Sequence, residues 1–269
     1  MAFVLDTAVR EGVIALARDA GAAIMQVYAQ DFDVEHKGDR SPLTQADLAA
    51  HNLIAAGLAK LTPEIPLLSE ESVERPWEIR QKWRRYWLVD PLDGTREFVK
   101  KNGEFTVNIA LIDEHAPVFG VVQTPAQDEL HWAQAGVGAF IRNGDEDVAL
   151  SVRRPATAPL RVAASRSHLD ERTAALLRKL GEIDRIGLGS SLKFCRIAEG
   201  RLDFYPRFGP TSEWDTAAAQ VLVECAGGAV LDLDGKPLRY NTKESLLNPF
   251  FLVLGDTGLP WQEWIAGDA

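Results

Sequence analysis

Residues 85–95 read RYWLVDPLDGT, an apolar run that ends in two carboxylates three residues apart, Asp90 and Asp93. The run reads as a buried strand. A buried charge is costly unless it is paired or binds a metal, so something cationic belongs at the end of this strand.

The rest of the chain frames that segment. Residues 3–29 carry Val9, Val13, Leu16, Ala20, Ile24 and Val27 at helical spacing. A second helix is expected from Thr44 to Lys60, with Thr44 and Asp47 as a capping-box-like start. Between them, DFDVEHKGDRSPLTQAD reads as a strand or hairpin and a loop. IPLLSEES is a short strand ending in acid, and GTREF a turn into a short helix. FTVNIALI, APVFGVVQTP and ELHWAQAGVGAFIRNGD have the β-branched and aromatic content of paired strands, with Asn143-Gly144 as a tight turn.

Prolines and small residues in SVRRPATAPLRVAAS mark a boundary near residues 153–159. Beyond it, strands (LRVAAS, LDFYPRF, AVLDLDG) alternate with helices at 169–180, 191–199 and 214–226. The fold class is α/β overall, an α+β N-terminal half over 1–155 followed by an α/β C-terminal half over 156–269.

Composition excludes several classes. The 269 residues carry a formal net charge of −10, which argues against broad nucleic-acid binding but not against an anionic small substrate held through cations. Cys195 and Cys225 form neither a disulfide framework nor a zinc motif, and both read as buried small hydrophobes. No apolar segment approaches the ~20 residues of a membrane span. No secretory leader is evident at the start, so the expected location is cytoplasmic. Oligomeric state is not legible.

Four acids fall at element ends: Glu70 after LLS, Asp90 and Asp93 around Pro91, and Asp215 at the start of DTAAAQVLVECA. In that last helix Ala218, Val221, Leu222 and Cys225 form the inner face, and Gly227-Gly228 ends it. Singly, Asp93 and Asp215 could be N-caps and Glu70 a surface acid. Together, all-oxygen ligands without His or Cys favour a hard cation such as Mg²⁺ over zinc. Two such ions can clamp a phosphoryl transfer. Gly94 and Thr95, opening a helix, suit a phosphate.

WLVDPLDGTREF, WDTAAAQVLVECAGG and LLSEES together resemble the signatures of the inositol-monophosphatase superfamily. SRSH, GSSLKFCRIAEGRLDFYPRFGPTSEWD and GKPLRYNTKESLLNPFFLV are similar to the bacterial 3′(2′),5′-bisphosphate nucleotidases. The resemblance implies a layered α-β-α-β-α, sugar-phosphatase-like fold. It implies Mg²⁺-dependent hydrolysis of adenosine 3′,5′-bisphosphate to AMP and phosphate by a metal-activated water, with inhibition by lithium. Glu70, Asp90, Asp93, Asp215 and the Leu92 carbonyl would hold two or more Mg²⁺ ions. Thr95 and Asp47 would position the attacking water and take its proton, with Glu70 also catalytic. Substrate would lie against Leu92, Asp93, Gly94, Thr95 and Asp215, with Ser190, Lys193 and Arg207 facing a distal phosphate or nucleoside and His168 near the base. The alternative within the same superfamily is an inositol or sugar monophosphate. Peripheral association with the inner membrane follows from resemblance only. His115 and His131 are read as structural or surface residues.

Overall fold

Asp90 and Asp93 pose a parity problem, because side chains three apart on a regular strand point to opposite faces. The computed structural model of the protein resolves it. The structure describes residues 5–30, 42–72, 75–165 and 170–266. Strand β2 (Arg85–Asp93) pairs antiparallel with β3 (Thr106–Asp113), with Asp90 opposite Asn108 and Asp93 opposite Thr106. Two residues, Pro91 and Leu92, therefore face one, Val107: a β-bulge. The extra residue restores parity and turns both carboxylates to the same side. Pro91, which cannot donate to a ladder, sits where the ladder is already broken.

The strand belongs to a seven-stranded sheet ordered β1-β2-β3-β4-β5-β6-β7. The others are β1 (Leu67–Ser69), β4 (Ala116–Thr124), β5 (Glu129–Gln134), β6 (Gly138–Asn143) and β7 (Glu146–Ala149). β1 alone runs parallel to its neighbour. A second sheet is ordered β11-β12-β10-β8-β9. Its strands are β8 (Leu160–Ser165), β9 (Ile183–Leu188), β10 (Phe204–Arg207), β11 (Ala229–Asp232) and β12 (Phe251–Leu254).

Helices form the other three layers. One face of the first sheet, including Trp87, Val89, Ile109 and Val121, packs under α1 (Thr7–Tyr28) and α2 (Pro42–Leu61). The opposite face, including Leu88, Ala110 and Val122, packs on α6 (Leu192–Ala198) and α7 (Glu213–Cys225). Those two helices also cover Tyr205, Phe251 and Val253 of the second sheet. Its far face, with Val162, Phe204 and Leu252, meets α5 (Glu171–Lys179) and α8 (Trp261–Ile265). The layering is α-β-α-β-α, as the resemblance implies. Alternation along β2 and β3 serves two cores at once.

The central layer is tight. A Cβ on Gly120 of β4 would come within 2.4 Å of the Ala218 carbonyl oxygen and 2.7 Å of Val221 Cγ1. Glycine there lets α7 lie directly on the sheet. Short α3 (Trp77–Arg80) and α4 (Thr95–Val99) complete the chain.

Several boundaries differ from the sequence expectation. α1 starts at Thr7, with Asp6 as N-cap accepting from the Ala8 N–H at 2.8 Å. α2 starts at Pro42 rather than Thr44, so Thr44 is inside the helix and not its cap; proline suits a first helical turn. The hairpin expected before Pro42 lies outside the described residues. Cys195 is buried, but Cys225 is only partly so. No helix among the described residues is long and apolar enough to cross a membrane.

Candidate active site

The bulge, the end of β1 and the start of α7 converge. Ser69 pairs with Val89, which brings Glu70, in the 3-10 turn after β1, beside Asp90. Glu70 and Asp90 lie within hydrogen-bond reach. Carboxylate oxygens of Asp90, Asp93 and Asp215 lie within 4.8 Å of one another. Asp90 is 1% exposed, and its Oδ1 accepts the Leu92 N–H at 3.0 Å. Leu92 itself is buried in the bulge.

Neither Asp93 nor Asp215 is an N-cap. Gly94 caps α4 in a left-handed conformation (φ 91°), and Ser212 caps α7. Asp215 is the third residue of α7, and its Oδ2 accepts the Ser212 N–H at 2.9 Å. One carboxylate thus helps to cap its helix while facing the acidic cluster.

The cluster is electrostatically incomplete. Burial and then the neighbouring Asp93, Glu70, Asp215 and Asp47 charges push Asp90 well above the usual carboxylate range. Burial and Asp93 push Asp215 up to about 8, with the Ser212 N–H opposing. Burial also raises Asp93, against the pull of Lys193, Ser190, Asn108 and Ser191. Like charges in a desolvated site destabilise one another unless a cation joins them. Four clustered carboxylates, Asp90 buried and the other three partly so, with no soft ligand suit a hard divalent ion.

Asp47, on α2, is raised to about 8 by burial and then by Glu71 and Glu70, and its Oδ1 has no hydrogen-bond partner. Thr95 is the first residue of α4 and lines the adjoining cleft.

That cleft, about 240 Å³, is lined on its acidic side by Asp93, Gly94, Thr95 and Asp215 and elsewhere by Ser190, Lys193, Tyr205 and Arg207. The expected metal-side and distal residues therefore share one cavity. Lys193 lies in the first turn of α6, within the helix expected over 191–199, and is only 6% exposed. Its ammonium donates to the Ser190 carbonyl at 2.7 Å and the Leu188 carbonyl at 3.2 Å, and lies 5.2 Å from the Tyr205 ring centroid. Burial lowers Lys193 to about 8, while Asp93 pulls it upward. Arg207 donates to the Pro210 carbonyl at 3.0 Å. Ser190, at φ 45°, shares a 2.7 Å hydroxyl contact with Thr106. His168 lies outside the described residues.

Three residues of the site have no place in the sequence reading. Ser191 donates to the Asp215 carbonyl at 2.9 Å, and its hydroxyl lies 3.4 Å from Asp93 Oδ2, which links the start of α6 to the bulged strand. Tyr205 forms the cleft wall, and Glu71 sits against Asp47. Ser191 and Tyr205 fall inside GSSLKF and YPRF, so proximity to Ser190 and Arg207 was their only signal.

A second acidic group, Glu129, His131 and Glu199, also has the spacing of metal ligands. Its centre is already cationic: Arg196 lies 2.7 Å from Glu129 and 2.6 Å from Glu199. His131, fully buried, lies 2.7 Å from Glu199. This is an ion-pair network, and His131 is a structural residue. His115 sits in the β3–β4 turn, its Nδ1 2.8 Å from the Tyr240 carbonyl.

The fold and site define a phosphatase-type enzyme with a candidate metal centre between its sheets. The chain matches the inositol monophosphatase family over residues 6–261 and belongs to it. It is 52% identical over 244 residues to the 3′(2′),5′-bisphosphate nucleotidase CysQ of Escherichia coli, spanning 90% of this chain and 97% of that protein. The CysQ nucleotidase of Haemophilus influenzae is 36% identical over 252 residues, 93% of this chain and 94% of the relative. Among solved structures, CysQ from Bacteroides thetaiotaomicron superposes with a TM-score of 0.82 at 42% identity, covering 91% of this chain and 96% of that one. An inositol monophosphatase from Zymomonas mobilis shares the fold, with a TM-score of 0.78 at 23% identity over 98% of this chain and 100% of that one.

Proposed function

We propose that the protein hydrolyses the 3′-phosphate of adenosine 3′,5′-bisphosphate, giving AMP and phosphate, with Mg²⁺ as its metal. The observation that carries this reading is the shared cleft. An acidic cluster suited to divalent cations faces Lys193 and Arg207 across one cavity. A substrate with two phosphates matches that polarity. One phosphate meets metal, and the other meets an ammonium and a guanidinium. The CysQ relatives at 52% identity support the same substrate.

Glu70, Asp90, Asp93, Asp215 and the Leu92 carbonyl would hold the ions. When bound, Mg²⁺ supplies charge neutralisation at the phosphoryl group and a more acidic water. Asp47 would receive the water's proton, its proton affinity raised by burial and by the neighbouring Glu71 and Glu70. Thr95 would orient the water from the start of α4. Residues 1–155 and 156–269 act in this reading as two units that meet at the cleft.

Phosphate release from adenosine 3′,5′-bisphosphate and inositol 1-phosphate, measured side by side with and without Mg²⁺, tests the reading. Mg²⁺-dependent preference for the nucleotide is expected. Preference for inositol phosphate would retain the metal site and remove the assigned roles of Lys193 and Arg207.

A further inference from the structure

The segment Leu188–Ser191 touches both ends of the cleft. The Ser190 hydroxyl bonds toward Asp93 and lies 2.7 Å from Thr106 Oγ1, while the Ser190 and Leu188 carbonyls hold the Lys193 ammonium. The placement of Lys193 is thus set by two backbone oxygens. What sets those oxygens comes from the first sheet's side of the molecule. Glu104 Oε2 accepts the Gly189 N–H at 2.8 Å. A Cβ on Gly189 would stand 2.7 Å from the Glu104 carbonyl oxygen and 2.6 Å from Glu97 Cγ, so the segment is pressed against residues 97 and 104. Ser190, next in the chain, holds a left-handed φ of 45° without being glycine or asparagine. Such a conformation persists only when its surroundings over-determine it. The Glu104 bond to the preceding residue is one of those constraints.

We propose that Glu104 is a positioning residue for selection of the two-phosphate substrate: by anchoring Gly189 it fixes the carbonyls that aim Lys193 at the second phosphate. Glu104 is not among the residues lining the cleft. It acts through geometry, and its charge also favours the protonated form of Lys193. The inference rests on the reading that Lys193 grips a second phosphate.

Steady-state kinetics on adenosine 3′,5′-bisphosphate and on 3′-AMP, which lacks that second phosphate, test it. In the wild type, KM for the bisphosphate is expected well below that for 3′-AMP. Glu104→Ala should raise KM for the bisphosphate about tenfold, as expected for losing a charge-assisted bond that orients a binding group. KM for 3′-AMP, and kcat for both, should move less than about threefold, since Thr106 still holds the Ser190 hydroxyl beside Asp93 on the metal side. Glu104→Gln keeps an oxygen acceptor and should stay near wild type. Glu104→Asp keeps the charge but withdraws the acceptor, and should resemble Glu104→Ala; it also serves as the second variant if the alanine form does not fold. A wild-type enzyme that does not distinguish the two substrates would retire the two-phosphate reading and this role with it. A wild-type preference that survives Glu104→Ala or Glu104→Asp, or equal losses on both substrates, would overturn the role of Glu104 alone.

Discussion

At the residue scale, the acidic cluster is a site whose function opposes its own stability. Asp90 is raised by burial and four carboxylate neighbours, so without divalent ions its charge destabilises the fold. Asp90→Asn keeps an oxygen for the Leu92 N–H and removes the repulsion. In chelator, the variant should melt higher than wild type by about 3 °C, equivalent to roughly 1 kcal/mol in a chain of this size. With Mg²⁺ at about 100 times its Kd, the wild type should gain about 2.7 kcal/mol. The variant should gain much less and lose about 10²–10³-fold in kcat. Calorimetric melts with and without Mg²⁺, beside a turnover assay, check both signs. A variant melting lower than wild type in chelator would show that Asp90 is not under repulsion. These carboxylates were legible in the sequence because Glu70, Asp90 and Asp93 fall at or just after the ends of apolar runs and Asp215 at the start of an apolar helix. Their shared face was not, because alternation places Asp90 and Asp93 on opposite sides; Pro91 was the one sign of the bulge. At the distal end, Arg207→Ala is expected to raise KM for the bisphosphate about tenfold or more, the loss of one charged hydrogen bond. An unchanged KM in the same kinetics would remove Arg207 from substrate binding.

At the element scale, α7 carries Asp215 to the cluster, and its seat is Gly120. Gly120→Ala would drive a methyl group into the Ala218 carbonyl and Val221. The helix must shift, at a cost of about 1–3 kcal/mol for an overpacked interior. Asp215 would move with it, so Mg²⁺ affinity measured by titration calorimetry should fall together with the urea midpoint. A loss of stability without a loss of Mg²⁺ affinity would mean that α7 tilts about its N-terminus. The apolar face of α7 was plain from helical spacing, and so were the strands from Arg85 to Gln134. β7 was not, because all four of its residues are exposed and give no alternation. β9 was missed for a similar reason: it is an edge strand with three exposed residues in sequence, Asp184–Ile186. The helix carrying Lys193 was legible over 191–199, but the burial of Lys193 was not, because a helical lysine is ordinarily a solvated surface group.

At the scale of the whole molecule, the central helices must be fixed to the first sheet if the metal side and the distal side of the cleft are to keep register. Asp215, Ser191 and the Gly189 contact do this at the cleft. The ion-pair network does it at the other end of α6, where Glu199 and Arg196 meet His131, Glu129 and Gln127 of the sheet and its preceding turn. Burial disfavours a protonated His131, but Cys195 and Glu199 more than offset it and push the imidazole up to about 10. An unfolded histidine titrates near ~6.5. A group raised on folding contributes stability that is full below its unfolded value and is lost as pH rises through its folded value. On the acid side, burial raises Glu199, but its bonds to His131 and Arg196 hold it below the usual range. The pair therefore weakens from the acid side only well below neutral pH. His131→Leu replaces the ring by an apolar side chain without opening a large void. At pH 6 it should lower stability by about 3 kcal/mol, the cost of breaking a buried pair and leaving one partner charged. Between pH 7 and 10 that gap should close, because the wild type itself loses the protonated imidazole. Urea midpoints of both proteins across this range measure the gap directly. A gap that stays constant would mean that His131 is neutral in the folded protein and that Arg196 carries the positive charge of this network.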